Sequence, residues 1–269
     1  MGNAPQIVAA ESVTRLEGVA GEVLVAGSHG GVIAAYLGAT AGVHALILND
    51  AGLGKDRAGI AGLFYLEEIG MAAAAVDCMS ARIGDGVDML ARGVISHANA
   101  FAALSGVVAG QSCRDAAERM RRAAAPRASP PPYAEGRWKI SAGTPEVWAL
   151  DSTGKVVAED AGRILVIGSH GALLGGRRES ALAVDAAAAV FNDAGMGADR
   201  IGITRLPALA ARGIPAATVD CMSARIGDGR SMWESGLISH ANAAATRMGV
   251  ATGMSVREFG RITAAQNRP

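Results

Sequence analysis

The chain has 269 residues, of which half are apolar, and its 25 acidic side chains balance its 25 basic ones. A formal charge of zero offers no electrostatic attraction to nucleic acid or to an anionic membrane, so neither is expected as a partner. Three cysteines are too few for a disulfide framework, and no apolar run approaches the roughly 20 residues that span a bilayer. We therefore predict a soluble, cytoplasmic protein.

Apolar runs and turn signals alternate along both halves of the chain. Each half contains three apolar runs that are typical of strands buried on both faces of a parallel sheet. They lie at 23–26, 45–48 and 72–76 in the first half, and at 164–167, 188–191 and 216–219 in the second. The segments between them predict helices at 32–41 and 60–69, and at 173–183 and 203–212. Strands that alternate with helices indicate an α/β fold.

Two further segments carry turn and linker signals. Residues 147–150 are apolar and run into Asp-Ser-Thr-Gly at 151–154, which predicts a hairpin returning at 155–157. Pro126 and the run 130–132 favour an extended, semi-rigid linker over 123–143. This linker would separate a first repeat (1–122) from a second (144–269).

The most informative feature is a repeated stretch. The ten residues from Asp77 to Gly86 recur without change from Asp220 to Gly229, and the surrounding stretches 77–110 and 220–253 match at 22 of 34 positions. A core tolerates exchange among apolar side chains, so ten identical and largely polar or glycine residues suggest function. We predict an internally duplicated α/β protein, whose two repeats contain largely parallel sheets and are related by a pseudo-twofold axis.

Polar residues follow three predicted strands in each half. Because ligands of α/β proteins bind beyond the carboxyl ends of parallel strands, these residues should converge on a site. The first half supplies Ser28, His29, Asn49, Asp50, Asp77, Cys78 and Ser80; the second supplies Ser169, His170, Asn192, Asp193, Asp220, Cys221 and Ser223.

Catalytic roles are predicted for the cysteines, the aspartates before them and the histidines between glycines. A thiol beside a helix or turn N-terminus would have a lowered pKa and act as a nucleophile or acid/base, although a free cysteine is also a common core residue. A carboxylate that ends an apolar strand must be paired, solvated or functional. A histidine between glycines can serve as an acid/base or a metal ligand. These residues are Cys78, Cys221, Asp77, Asp220, His29 and His170.

Substrate binding is predicted for the remaining polar residues. Arg82 and Arg225 could clamp a carboxylate, or form an internal ion pair with Asp85 or Asp228. Asn and Asp also bond their own backbone in turns, so the Asn-Asp pairs have a structural alternative. His97 and His240 precede Ala-rich helices that Ser96 and Ser239 could cap. The full set is Ser28, Ser169, Asn49, Asn192, Asp50, Asp193, Ser80, Ser223, Arg82, Arg225, His97 and His240.

Two equivalent thiols suit proton removal on one face of a substrate and delivery on the other. The arrangement resembles the aspartate/glutamate racemase superfamily, whose two α/β lobes each bring a cysteine to a shared site. The resemblance implies a cofactor-independent racemase or isomerase acting on a small carboxylate- or amide-bearing metabolite.

Two alternatives stay open. One is a hydrolase or lyase in which histidines and aspartates bind zinc or manganese. The other is a small-molecule binding protein without catalysis. The glycine-rich loops and Ala-rich surface are compatible with a homo-oligomer, and the sequence contains neither a Gly-Lys-Ser/Thr phosphate loop nor a dinucleotide fingerprint.

Overall fold

The computed structural model describes residues 4–14 and 16–266. It divides into two compact units that are not continuous in sequence. Unit 1 is drawn from Met1–Leu53, Arg57–Ala134 and Gly197–Asp199, and unit 2 from Gly54–Asp56, Glu135–Met196 and Arg200–Pro269. The fold is mixed α/β, with a mostly parallel sheet of five strands in unit 1 and of six strands in unit 2.

The unit 1 sheet has its strands in chain order. The first four are parallel and the fifth is antiparallel to the fourth. They are β1 (Ile7–Ala10), β2 (Val23–His29), β3 (Ala45–Asn49), β4 (Ala73–Val76) and β5 (Ile95–Ala98). The helices are α1 (Val32–Thr40), α2 (Ala61–Glu67), α3 (Gly86–Arg92), α4 (Ala100–Leu104) and α5 (Cys113–Met120).

The core of unit 1 covers both faces of its sheet. On one face Leu24 and Leu46 pack with Leu63 of α2. On the other face Val25 and Ile47 pack with residues of α3 and α5. Successive strand side chains point to opposite faces, so the apolar run that begins β2 is buried on both sides.

The unit 2 sheet has the order β11-β10-β9-β8-β7-β6, with parallel central strands and an antiparallel strand at each edge. Its strands are β6 (Arg137–Ser141), β7 (Val147–Leu150), β8 (Ile164–His170), β9 (Ala188–Asn192), β10 (Ala216–Val219) and β11 (Ile238–Ala241). Its helices are α6 (Arg205–Ala210), α7 (Gly229–Ser235), α8 (Ala243–Arg247) and α9 (Val256–Gln266).

The predicted hairpin and linker are both partly wrong. Residues 137–141, inside the predicted linker, form β6, and this strand rather than 155–157 is the antiparallel partner of β7. The guanidinium of Arg137 holds β6 in place, because it stacks on the Trp148 ring at 4.2 Å and pairs with the buried Asp160 at 2.7 Å. Earlier in the predicted linker, the Arg127 N–H donates to the Ile69 carbonyl of unit 1 at 2.8 Å.

The helix predicted at 173–183 is also wrong. Two short 3₁₀ turns, Leu174–Gly176 and Arg178–Ser180, take its place. Gly175 and Gly176 have φ of 53° and 72°, which a right-handed helix does not accommodate. The helices after β5 and β11 differ from prediction too, because Asn99 and Asn242 cap them while Ser96 and Ser239 lie within the strands.

Across residues 4–14 and 16–266, no helix combines the length and the apolarity that crossing a membrane requires.

The last glycine of the repeated ten-residue stretch has a packing role. Gly86 begins α3 against the backbone of β1 and β2, where an added Cβ would lie 2.3 Å from the Ala10 carbonyl oxygen and 2.5 Å from that of Val25. Gly229 lies equally close to the backbone of Leu150. Backbone atoms cannot rotate away, so only glycine fits at either position.

We expect Gly86→Ala to lower the free energy of unfolding by at least about 2 kcal/mol, because the clash displaces a helix from the sheet. Urea denaturation measures this change. Gly143→Ala is the control, since its Cβ would meet nothing closer than 3.5 Å, and it should change the same quantity by less than about 0.5 kcal/mol. Equal effects of the two substitutions would contradict the packing role.

Candidate functional site

The loops that follow β3 and β9 have an unusual backbone. The φ values of residues 51–54 lie between 50° and 73°, and those of residues 194–197 between 52° and 70°. Within the described ranges, every non-glycine residue with positive φ lies in these two loops: Ala51, Leu53, Asp56, Arg57, Ala194, Met196, Asp199 and Arg200. Such conformations cost about 1–3 kcal/mol each and persist where surrounding contacts impose them, commonly at functional sites.

In unit 1 the contacts at the start of the loop come from Asn49 and Asp50. Asp50 Oδ1 accepts hydrogen bonds from the Gly52 N–H at 3.0 Å and the Cys78 N–H at 2.9 Å. It therefore ties the end of β3 to the end of β4. The buried Asn49 accepts from the Ala51 N–H at 2.9 Å, which is the turn chemistry that was the alternative to substrate binding.

The same contacts occur in unit 2. Asp193 Oδ1 accepts from the N–H groups of Gly195 and Cys221, each at 3.0 Å, and its carboxylate is also bonded by the Ser239 hydroxyl. Burial raises the pKa of Asp193, and the negative charge of Asp220 raises it further. Asn192 accepts from the Ala194 N–H at 2.9 Å, as Asn49 does from Ala51.

Two carboxylates and a thiol meet at each of these strand ends. Asp50, Asp77 and Cys78 each offer one atom that could bind a metal, and these atoms lie within 4.8 Å of one another. Asp193, Asp220 and Cys221 form the same group in unit 2. The structure thus brings together the predicted cysteines with both aspartates on the neighbouring strand ends.

The environment of Cys221 differs from the one predicted. Burial raises the pKa of its thiol to about 12, and the charges of Asp193 and Asp220 act in the same direction. The expectation of a lowered thiol pKa is therefore wrong for this residue, because its surroundings are buried and anionic rather than electropositive. A thiol with a pKa of about 12 is neutral at pH 7.

The two histidines between glycines are fixed by their own loops. His29 Nδ1 accepts from the Gly31 N–H at 3.1 Å, and His170 Nδ1 from the Ala172 N–H at 3.3 Å. Burial lowers the pKa of His29 to about 4, so this ring is neutral at pH 7 and carries its proton on Nε2. That tautomer is a hydrogen-bond donor at Nε2, and its Nδ1 lone pair is already used.

The serines of the site bond the backbone. Ser80 Oγ donates to the Asp77 carbonyl at 2.7 Å and accepts from the Val94 N–H at 2.9 Å. Ser223 makes the equivalent bonds to Asp220 and Leu237. Ser28 Oγ accepts from the Val13 N–H and Ser169 Oγ from the Thr153 N–H. Their predicted contact with a substrate stays a prediction.

Both arginines of the repeated stretch are in ion pairs. In unit 1, Arg82 Nε donates to Asp199 at 2.8 Å, and Asp88 lies 3.9 Å from its Nη1. Asp85 instead caps α3. In unit 2, Arg225 pairs with Asp56 and Asp228, each at 3.1 Å. Asp56 and Asp199 were not predicted as ion-pair partners of these arginines. The one signal for them is that an Asp-Arg pair recurs in the two loops, at 56–57 and at 199–200.

His97 and His240 lie outside the groups of clustered ligand atoms. They are half-buried in β5 and β11, and the Nδ1 atom of each is buried with no hydrogen-bond partner in the described chain.

No protein-family model, curated protein or solved structure matches this chain. The function must therefore be argued from the chemistry of the site.

The buried neutral state of His29 predicts a pH dependence of stability. Its folded-state pKa of about 4 lies below the ordinary value of 6.5, so between these values the unfolded chain binds a proton that the folded chain does not. The free energy of unfolding should fall by up to about 3 kcal/mol as the pH drops through this window.

His29→Asn keeps an acceptor for the Gly31 N–H and removes the titrating ring. We expect the variant to lose this part of the pH dependence when urea denaturation is measured between pH 7.5 and 4.5. Carboxylates titrate in both proteins, so the difference between the two curves isolates His29. Parallel curves would show that His29 titrates normally.

Proposed function

We propose that the protein is a metal-dependent hydrolase or lyase that acts on a small carboxylate- or amide-bearing metabolite. The observation that carries the proposal is the clustering of ligand atoms from Asp50, Asp77 and Cys78 within 4.8 Å. Tetrahedral zinc, with bonds of about 2.0–2.3 Å, holds its ligand atoms about 3.3–3.8 Å apart. Ligand atoms that all lie within 4.8 Å of one another are therefore close to the spacing that a zinc ion would impose.

The donor set favours zinc over manganese or magnesium. A thiolate is a soft ligand that zinc accepts readily, whereas magnesium and manganese prefer oxygen alone. Asp50, Asp77 and Cys78 would hold the ion, and zinc would supply Lewis-acid and water-activating chemistry suited to an amide or ester carbonyl.

The residues around the cluster have supporting roles in this proposal. The backbone N–H groups of Gly52 and Cys78 orient the Asp50 carboxylate, as hydrogen-bonded partners commonly orient metal ligands. His29 pairs in register with Asn49 on the neighbouring strand, so it lies at the same sheet edge. As a neutral donor at Nε2, it is suited to stabilising the negative charge that develops on a carbonyl oxygen.

A thiol-based isomerase is the second candidate. The recurrence of a cysteine in each cluster supports it, because proton removal and delivery need two groups. It requires a thiolate at neutral pH, and the pKa of Cys221, near 12, leaves almost none. For that reason we favour the metal-dependent reaction.

We also infer that the chain is an internal duplication. Two stretches identical at 22 of 34 positions support this inference, as do two Asp-Asp-Cys clusters with matching backbone contacts. The pseudo-twofold relation between the repeats stays a prediction.

Metal analysis of the purified protein tests the proposed function. We expect zinc at about two ions per chain, one for each cluster. Cys78→Ala and Cys221→Ala should each remove one ion, and the double variant should lose both ions and all hydrolysis of a panel of small amides and esters. Inductively coupled plasma mass spectrometry measures the metal, and product release measures the activity.

Cys113→Ala is the matched control. Cys113 is also a buried free cysteine, but it lies in α5, outside the clusters, and burial raises the pKa of its thiol to about 12. This variant should keep both ions and full activity. Wild-type protein without metal, but with an isomerase activity that the double cysteine variant lacks, would replace the proposal with the second candidate.

A further inference from the structure

Two three-residue segments complete the units from distant parts of the chain. Unit 1 contains residues 197–199, although its other residues precede position 135, and unit 2 contains residues 54–56, although its other residues follow position 134. Both segments belong to the loops with positive φ. Each one lies against a cysteine of the site in the unit that it completes.

In unit 1 the segment bonds the backbone of Cys78. The Ala198 N–H donates to the Cys78 carbonyl at 2.7 Å, while Asp50 accepts from the Cys78 N–H on its other side. Both backbone polar groups of this cysteine are thus satisfied, one by its neighbouring strand end and one by residue 198. The backbone of Cys78 is therefore held from two sides.

Asp199 anchors that segment. Its carboxylate accepts from Arg82 Nε at 2.8 Å and from Arg92 Nη2 at 2.7 Å, and the Arg92 hydrogen bond is the main cause of its lowered pKa. Asp88 bonds Arg92 as well, which fixes the guanidinium from a second direction. The result is a charge network rather than one surface pair, and networks hold side chains better than isolated exposed pairs.

In unit 2 the other segment makes the matching contacts. The Lys55 N–H donates to the Cys221 carbonyl at 2.8 Å, and Asp56 pairs with Arg225 at 3.1 Å. Lys55 Nζ adds a hydrogen bond to the Ser235 hydroxyl at 2.8 Å. At position 54 the backbone runs so close to Cys221 that a Cβ would lie 3.0 Å from its carbonyl oxygen.

We propose that Asp199 and Asp56 are positioning residues, and that each one fixes the cysteine that is farther from it in the sequence. Asp199 places Cys78, and Asp56 places Cys221. The dependence is therefore crossed with respect to the sequence: Asp199 is only 22 positions from Cys221 but serves the cluster of Cys78. The inference rests on the proposed function only in treating the two cysteines as site residues.

Asp199→Ala tests the crossed dependence in the full-length protein. Alanine removes both ion pairs and tolerates a positive φ poorly, so residues 197–199 should loosen from Cys78. We expect the rate of Cys78 alkylation by iodoacetamide to rise at least tenfold, while the rate for Cys221 changes less than twofold. Mass spectrometry of the digested protein reads the two cysteines separately and requires no bound metal.

Two further variants make the test specific. Asp56→Ala should give the reverse result, with faster alkylation of Cys221 and unchanged Cys78. Asp199→Asn keeps the preference for positive φ and an acceptor for the arginines, so it should restore most of the protection of Cys78. If zinc binds, titration of Asp199→Ala with cobalt(II) should show the thiolate-to-cobalt absorption of one cluster instead of two.

Equal acceleration at both cysteines in Asp199→Ala would show general destabilisation and overturn the proposal, as would faster alkylation of Cys221 alone. Unchanged alkylation of both would overturn it too. If the wild-type protein binds no metal, faster alkylation of Cys78 alone in Asp199→Ala would uphold this inference while removing the proposed function. The two can therefore fail separately.

Discussion

The carboxylate that follows the central strand of each sheet is the contact on which the site depends. Asp50 and Asp193 are almost fully buried, and a buried charge is tolerated only when hydrogen bonds or counter-charges satisfy it. Each takes two backbone N–H groups, one from its own loop and one from the cysteine of the next strand. These bonds offset the cost of the left-handed loop backbone and fix the distance between two strand ends. The start of the loop and the backbone of the cysteine are therefore both bonded to this one carboxylate.

One difference between the two units is that the second has no α-helix directly after its Gly-Ser-His-Gly turn, where two 3₁₀ turns follow. The fully buried Arg205 occupies that region and donates to the carbonyls of His170, Ser180 and Ala181. Its guanidinium also stacks on Phe191 at 5.0 Å, and burial lowers its pKa to about 10. In the parts of the chain that the structure covers, no carboxylate pairs with Arg205. Its buried positive charge is therefore stabilised by carbonyl dipoles and by the face of an aromatic ring. After the same turn, the first unit has helix α1 and the second has a buried guanidinium bonded to the His170 carbonyl.

The sequence predicted features that depend on neighbouring residues and missed those that depend on distant ones. Apolar runs located the central strands, and the polar residues after them correctly indicated that Asp50, Asp77 and Cys78 would meet, because parallel strands end at one sheet edge. Strand β6 was missed because it is held by contacts of Arg137 with distant residues. Arg137 stacks on Trp148 and pairs with Asp160, which is 23 positions away. The expected pair of Arg225 with Asp228 is present. The other partners of Arg82 and Arg225 were missed, because Asp199 and Asp56 lie more than 100 positions from them. The raised thiol pKa of Cys221 follows from burial beside two acids, which spacing alone does not reveal.

The charge balance of the clusters bears directly on their chemistry. Two carboxylates lie within 4.8 Å of each other in each cluster and repel, and the backbone N–H groups that bond Asp50 and Asp193 offset part of this repulsion. The arginines of the repeated stretch are paired with other acids, because Asp199 and Asp88 engage Arg82 while Asp56 and Asp228 engage Arg225. A metal ion held by the cluster would neutralise both acids and favour the thiolate. Such an ion would make all three groups chemically active at once, and the occurrence of the same cluster in both units supports the metal-dependent reaction proposed above.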